Sequence, residues 1–319
     1  MFKQNPAPPR ILAITNMYPS AEDPGDSPCV KDQIEELQKL GLLVDVKIID
    51  RKRKLNYLLA AWDVFKESFG FQKYDLIHGF YGHCGLIACC QFRLPVVVTF
   101  RGSDILTFKD GILGQIAARF ARKIIVMSDE MKKKSFRSDA VILPFGVNLD
   151  VFFPTDYIEA RSSLNLSSDF RYILFPYDPK RSVKRFDLIQ DIVNNVNNQG
   201  YPTKLLVVSD QPPHKVAEYM NACDVLVLVS DHEGSPMAVR EAMACNLPIV
   251  SVDVGDVKAL LEGVDNCYLT SQDVNEVTMK IIQSFIKGTR TNGWNKIRPY
   301  SNQAVSQSVV ELYKSICKF

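Results

Sequence analysis

The sequence carries little net charge: 38 Lys and Arg against 36 Asp and Glu give +2 over 319 residues. A balance this close to neutral argues against a dedicated nucleic-acid binder, which gathers basic residues on one face. Long apolar runs are missing too, and no stretch approaches the ~18–20 uninterrupted apolar residues of a membrane span. The start, MFKQNPAPPR, is polar and lacks the apolar centre of a secretory signal. Histidine is scarce, with four residues, and the eight cysteines contain no CxxC pair that these could complete as a zinc site. Most cysteines lie in apolar runs such as CGLIACC (84–90), where a reduced thiol behaves as a small hydrophobe. No GxGxxG follows a first strand, which excludes a dinucleotide-dependent oxidoreductase. No DxD-type cluster is placed for a metal, and repeats and low-complexity tracts are absent. These absences lead us to expect a cytoplasmic protein.

What is present is a globular composition, 46% hydrophobic and 23% charged, in a chain long enough for two cores. Short β-branched runs at 11–15, 44–49, 76–78, 96–100, 124–127 and 141–143 alternate with segments of helical spacing, such as Val30, Ile34, Leu37 and Leu40 before Gly41. The pattern halts at PFGVNLDVFFPT (144–155) and resumes with runs at 172–175, 204–208, 224–229, 248–252 and 267–269. This is the signature of α/β architecture: two doubly wound parallel-sheet domains, 1–150 and 151–300, followed by an amphipathic segment over 301–319. Ligands of such sheets bind outside the carboxyl ends of the strands, and clefts between domains favour them. The first 150 residues hold 21 basic against 17 acidic residues and the remainder 17 against 19. The basic runs at 51–54 and 132–134 are either solvated faces or contacts to an anionic membrane surface.

Four loops carry unusual chemistry. In DHEGSPMAVREAMACNLPIVSVDVGD (231–256) a strand runs into EGSP, which opens a helix. Glu233 and Glu241 are eight residues apart, about 80° around a helix, so both can address one elongated ligand if Glu233 sits at its entrance. Gly234 and the exposed first-turn N–H groups favour an anion there; alternatively Glu233 merely complements the helix dipole. FPYDPKRSVKRFDLI (175–189) concentrates Lys180, Arg181, Lys184 and Arg185 after a strand, suited to a diphosphate or to an exposed helix start. TFRGSDI (99–105) offers Arg101 and Asp104, as ligand contacts or as a structural pair. HGFYGHCG (78–85) offers His83, as an acceptor-side group or as a structural histidine.

The long string at 231–256 resembles the EX7E motif of the retaining GT-B glycosyltransferases of family 4, in the form found in the bacterial cell-surface polysaccharide branch. ILAITNMYP, DLIHGFYGHCGLIA, VVVTFRGSDI, VILPFGVNLDVFFP and YMNACDVLVLVSDHEGSP extend the resemblance over nearly the whole chain. It implies two Rossmann-like domains facing a cleft, the first for the acceptor and the second for a nucleotide-sugar donor, with the last helix crossing back to the first domain. It implies that Glu233 contacts the donor sugar's hydroxyls and Glu241 the ribose hydroxyls, as acceptor-only carboxylates can. Lys184 matches the family's lysine for the diphosphate, and Arg181 is assigned as its arginine although the spacing is shorter. Gly234, Ser235 and Pro236 belong to the same donor-binding set.

Two departures stand out. Many members carry histidine where this chain has Arg101, whose guanidinium cannot act as a base. The family's same-face substitution needs none, because the leaving phosphate accepts the proton; Arg101 then binds phosphate or acceptor, and Asp104 and His83 face acceptor hydroxyls. In the opening loop MYPSAEDPGDSPCV (17–30), Ser27 occupies the place of the glycine expected before the helix. The resemblance therefore implies a retaining, metal-independent hexosyltransferase of cell-surface polysaccharide synthesis. It would use a nucleotide-diphosphate sugar and no cofactor, act on a saccharide or lipid-linked acceptor, and touch the inner membrane face peripherally. A nucleotide-sugar 2-epimerase of similar fold and a catalytically silent sugar-nucleotide-binding relative are the alternatives.

Overall fold

The computed structural model describes residues 8–69 and 73–317, so most of the polar start and the last two residues of the C-terminal segment lie outside the described residues. The chain forms two units: Met1–Pro19, Ser27–Gly146 and Asn302–Phe319 make one, and Ser20–Asp26 with Val147–Ser301 the other.

In the first unit the strands are β1 (Arg10–Thr15), β2 (Leu43–Ile48), β3 (Leu76–Phe80), β4 (Val96–Thr99), β5 (Lys123–Val126) and β6 (Val141–Ile142). They form one parallel sheet in the order β2-β1-β3-β4-β5-β6. β3 and β4 are buried along their whole length, as near-continuous apolar strands covered on both faces must be. The helices are α1 (Pro28–Lys39), α2 (Leu55–Phe69), α3 (Gly82–Ala88), α4 (Ser103–Leu106), α5 (Phe108–Phe120) and α6 (Asp129–Lys134). Glycines let α3 lie against the sheet: a Cβ on Gly85 would stand 2.4 Å from a Val98 methyl, and one on Gly79 would stand 2.7 Å from Gly85. The glycines of HGFYGHCG thus serve close packing.

The second unit contains β7 (Arg171–Phe175), β8 (Thr203–Val207), β9 (Val225–Leu228), β10 (Ile249–Val252) and β11 (Cys267–Thr270), all parallel, in the order β11-β10-β9-β7-β8. Its helices are α7 (Tyr157–Ser163), α8 (Phe186–Asn198), α9 (Pro213–Ala222), α10 (Met237–Ala244), α11 (Val257–Leu261), α12 (Val274–Lys287) and α13 (Gly293–Ile297). Apolar side chains from both faces of the sheet form two core layers. The half-buried Arg290 guanidinium donates to the carbonyls of Met220, Cys223 and Cys245, satisfying acceptors that the ends of α9 and α10 leave open.

The final helix, α14 (Asn302–Ile316), belongs to the first unit and packs on α1, with Val305, Val309 and Tyr313 buried. Gly146 and Asn302 meet where the chain leaves and re-enters this unit; a Cβ on Gly146 would lie 2.6 Å from Asn302 Cα. Tyr313 Oη is 2.6 Å from His78 Nδ1, and His78 Nε2 is 2.7 Å from Thr99 Oγ1, so one buried ring ties α14 to β3 and β4. The fold class expected from the sequence is observed, including the helix that returns to the first unit. The cysteines are free thiols and several are fully buried, but Cys90 is exposed.

Burial lowers the His78 pKa to about 3, against 6.5 ordinarily. Between those values the unfolded chain binds a proton that the folded chain refuses, so stability falls as pH falls. Urea unfolding at pH 6.5 and pH 5.0 should show the wild type losing about 1.5 kcal/mol more than His78→Gln over that interval. Equal losses would place the proton uptake elsewhere.

Candidate functional site

In the second sheet the chain runs outward from β7 to β8 and then returns to place β9 on the other side of β7. This reversal sets the loops after β7 and β9 side by side at the carboxyl ends of their strands, the position at which open α/β sheets bind ligands. Both loops carry charge. After β7, a 3-10 turn (Ser182–Lys184) followed by Arg185 in a left-handed conformation (φ 52°) directs Lys184 inward. Lys184 is 3% exposed, and its ammonium pairs with Glu233 of the loop after β9. It also lies 3.7 Å from the centre of the Tyr177 ring, a cation–π contact. Burial lowers the lysine's pKa, and the Glu233 charge opposes that shift. The backbone joins the two loops as well: Asp231 N–H donates to Val183 O at 3.0 Å.

Glu233 is held from behind. Gly255 adopts φ +62°, and a Cβ there would stand 2.7 Å from the Gly234 oxygen and 3.1 Å from the Glu233 oxygen. Ser235 Oγ donates to Asp256 Oδ2 at 2.9 Å and accepts from Arg240 Nε at 2.9 Å, while Arg240 Nη2 pairs with the same Asp256 oxygen. Arg240 is 1% exposed and is the largest fully enclosed side chain described. The Ser235 hydroxyl is therefore committed to a brace beneath the loop. Helix α10 begins at Met237 behind Pro236, with no side-chain cap. Glu233 lies in the loop that leads into α10 and Glu241 within the helix, so the 80° separation expected with Glu233 at the helix entrance does not describe the pair. The extended backbone of Pro236 delays the first helical turn.

These groups converge on Tyr177. Its hydroxyl is enclosed and, among the described residues, has no hydrogen-bond partner. Its pKa stands well above the usual phenol value, first through burial and then through the charges of Glu233 and Glu241, with Arg181 opposing. The charges of Glu233, Glu241 and Arg181 thus act on the phenol while the Lys184 ammonium lies over its ring, although Arg181 itself is exposed and His232 faces solvent. Tyr177, Arg240, Gly255 and Asp256 were not among the residues expected from the sequence. The last three lie inside the quoted 231–256 string, where an arginine in an apolar helix was the available signal. Tyr177 had only its place directly after a strand.

In the first unit, Asp104 is fully buried and accepts from the backbone N–H groups of Arg101 (2.9 Å), Gly102 (2.8 Å) and Gly82 (2.9 Å). Burial raises its pKa against these donors. The expected acceptor-facing carboxylate is instead enclosed, and it fixes the turn that carries Arg101. The Arg101 guanidinium donates to Ser27 Oγ at 2.8 Å and lies over the Phe145 ring at 5.6 Å. Ser27 has φ 60°, the conformation that a glycine there would take without strain. His83 is half-buried in the first turn of α3 and stacks on Tyr81 with ring centres 5.6 Å apart. Tyr81 has φ 84°, rare for an aromatic residue, and its hydroxyl lies 3.1 Å from Ser103 Oγ.

The model of the family described as "Glycosyl transferases group 1" matches residues 203–285, a span containing Glu233, Glu241 and their brace. An uncharacterized glycosyltransferase of Methanocaldococcus jannaschii is 25% identical over 283 residues, covering 79% of this chain and 77% of its own. The Bacillus subtilis glycosyltransferase TuaC, named for teichuronic acid biosynthesis, is 25% identical over 321 residues, covering 79% and 82%. Among solved structures, sucrose-phosphate synthase of Thermosynechococcus elongatus superposes with a TM-score of 0.76 at 19% identity, covering 96% of this chain and 99% of that one. The Anabaena protein HepE in complex with UDP and glucose gives 0.73 at 18%, with the same coverage. The structural likenesses show the GT-B fold, and the sequence matches support a glycosyltransferase.

The support beneath Glu233 predicts an asymmetry between two glycines. Gly255 and Gly263 both have positive φ, but nothing lies within 4 Å of a Cβ on Gly263. Gly263→Ala should cost about 1 kcal/mol of unfolding free energy, the left-handed penalty alone. Gly255→Ala should cost clearly more in the same denaturation experiment, because two backbone oxygens cannot yield. Equal costs would mean that the 233–234 peptide is not held by Gly255.

Proposed function

We propose that this chain is a retaining, metal-independent glycosyltransferase of cell-surface polysaccharide synthesis, moving a hexose from a nucleoside-diphosphate sugar to a saccharide or lipid-linked saccharide at an anionic membrane face. The observation that carries the reading is the convergence of Lys184, Glu233 and Tyr177 at the switch point of the second sheet, with Glu241 on the helix that follows.

The resting Lys184–Glu233 pair is complementary to such a donor. A diphosphate takes the ammonium and the sugar's hydroxyls donate to the released carboxylate, so neither buried charge is left alone. Arg181 adds charge at the phosphate from the exposed edge, Glu241 accepts from the ribose diol, and the Tyr177 hydroxyl donates to the bound donor. The uncapped first turn of α10 presents N–H groups to the phosphates. In the reaction the bond from the anomeric carbon to the leaving phosphate breaks as the bond to the acceptor oxygen forms on the same face. The acceptor's proton passes to the departing phosphate oxygen, and Lys184 and Arg181 stabilise the charge developing there. Arg101, in the loop after β4, and His83, in the first turn of α3, contact the acceptor or its phosphate, and the enclosed Asp104 holds Arg101 in place.

Thermal-shift and calorimetric titration with nucleoside diphosphates and their sugars tests the donor site. A ligand at 100 times its dissociation constant should stabilise the wild type by about 2.7 kcal/mol, and Glu241→Ala should weaken binding at least tenfold. Failure of every nucleoside diphosphate to bind the folded protein would overturn the reading. Tyr177→Phe should leave unfolding free energy unchanged or raised, since it removes an unpartnered hydroxyl, while weakening donor binding by about 1 kcal/mol, roughly fivefold.

A further inference from the structure

Helix α2 is apolar on two sides. One face packs inward through Ala60 and Val64. On the opposite side Leu55, Leu58, Leu59 and Trp62 are 62%, 69%, 53% and 55% exposed. Their spacing is i, i+3, i+4, i+7, which at about 100° per residue places all four within a stripe some 100° wide. The helix's acids, Asp63 and Glu67, fall beside this stripe rather than in it, and Asp63 is paired with Lys47 at 2.8 Å. Cations frame the stripe. The exposed run Arg51, Lys52, Arg53 and Lys54 leads directly into the helix, and the Lys66 ammonium lies 5.0 Å from the centre of the Trp62 ring. Trp62 also stacks on Phe65 at 5.8 Å, and with Leu58, Ala61 and Cys90 these rings line an open hollow of about 360 Å³.

We propose that this face of α2 is a docking surface for an anionic lipid bilayer. Charge complementarity selects this occupant. Four consecutive cations beside an apolar stripe topped by an indole are the composition of a helix lying in the headgroup plane, with basic groups at the anionic phosphates and leucines among the acyl chains. The lysine over Trp62 reaches the headgroups while its stem stays on the apolar side. No described helix is long and apolar enough to cross a membrane, so attachment through α2 is peripheral and reversible. The proposal deepens the membrane contact of the proposed function and rests on that part of it alone, without requiring glycosyl transfer.

The test is cosedimentation of the full chain with vesicles of phosphatidylcholine alone or mixed equally with phosphatidylglycerol. The wild type should bind the mixed vesicles, bind neutral ones at least tenfold more weakly, and be released by high salt. Leu58→Ser with Trp62→Ser should reduce binding to mixed vesicles about tenfold. Replacing residues 51–54 by glutamine should abolish the preference for anionic lipid, and Ile286→Ser, at an exposed apolar residue of the second unit, should change nothing. Trp62 should shift its emission to the blue on binding and be quenched by brominated acyl chains; Trp294, in the second unit, provides the unaffected background. Nucleoside diphosphate binding should be equal in all these variants, which separates failure at this surface from failure at the donor site. Vesicle binding indifferent to the α2 substitutions, or concentration-dependent dimerisation lost in Trp62→Ser without any lipid binding, would overturn the proposal.

Discussion

A buried ammonium must be answered by a nearby negative charge, and the second unit is organised around that requirement. Lys184 is almost wholly enclosed, and the carboxylate that answers it lies 49 residues away in sequence. The pair exists because the strand order reverses at β7, setting two loops together at the carboxyl edge of the sheet. The rest of the local structure keeps the carboxylate in position. Gly255 lies flat against the peptide beside Glu233, and Ser235, Arg240 and Asp256 form a polar brace underneath. Removing either charge leaves the other stranded in a poorly solvating place, a cost of several kcal/mol for a buried pair.

The first unit solves a different problem with the same means. Its loops carry backbone conformations that are unfavourable in isolation, Ser27 and Tyr81 both at positive φ. Each is held by a bond from another segment: Arg101 reaches Ser27, and Ser103 meets Tyr81. Asp104 accepts from three backbone N–H groups, two in its own loop and one at the start of α3. Arg101 and Ser27, where the resemblance leads one to expect histidine and glycine, are joined directly, because the guanidinium donates to the serine hydroxyl.

The architecture was legible in the sequence because fully buried parallel strands need runs such as VVVT and KIIV, which alternation with helical spacing makes plain. Glu233, Glu241 and Lys184 were legible because they follow strands in a recognisable string. The start of α10 was not, since Ser-Pro reads as a helix opening while Pro236 stays extended. Asp104 looked like a free carboxylate because its partners are backbone groups, one of them 22 residues away. Tyr177 and Arg240 escaped notice for a related reason: an aromatic after a strand and an arginine in a helix acquire meaning only from enclosure, which depends on contacts remote in sequence.

The return of α14 to the first unit bears on how the polypeptide is made. His78 finds its Tyr313 partner 235 residues later, after the whole of Val147–Ser301 has been synthesised. On the ribosome the second unit thus has nearly all its own residues before the first can be finished. The six-stranded sheet must wait with one flank of α1 uncovered until the last helix emerges. Contacts of such long range are slow to form, and the exposed apolar surface meanwhile invites misassociation. A chain stopped just short of α14 would carry Lys184, Glu233, Glu241 and the brace beneath them and still lack a completed first unit.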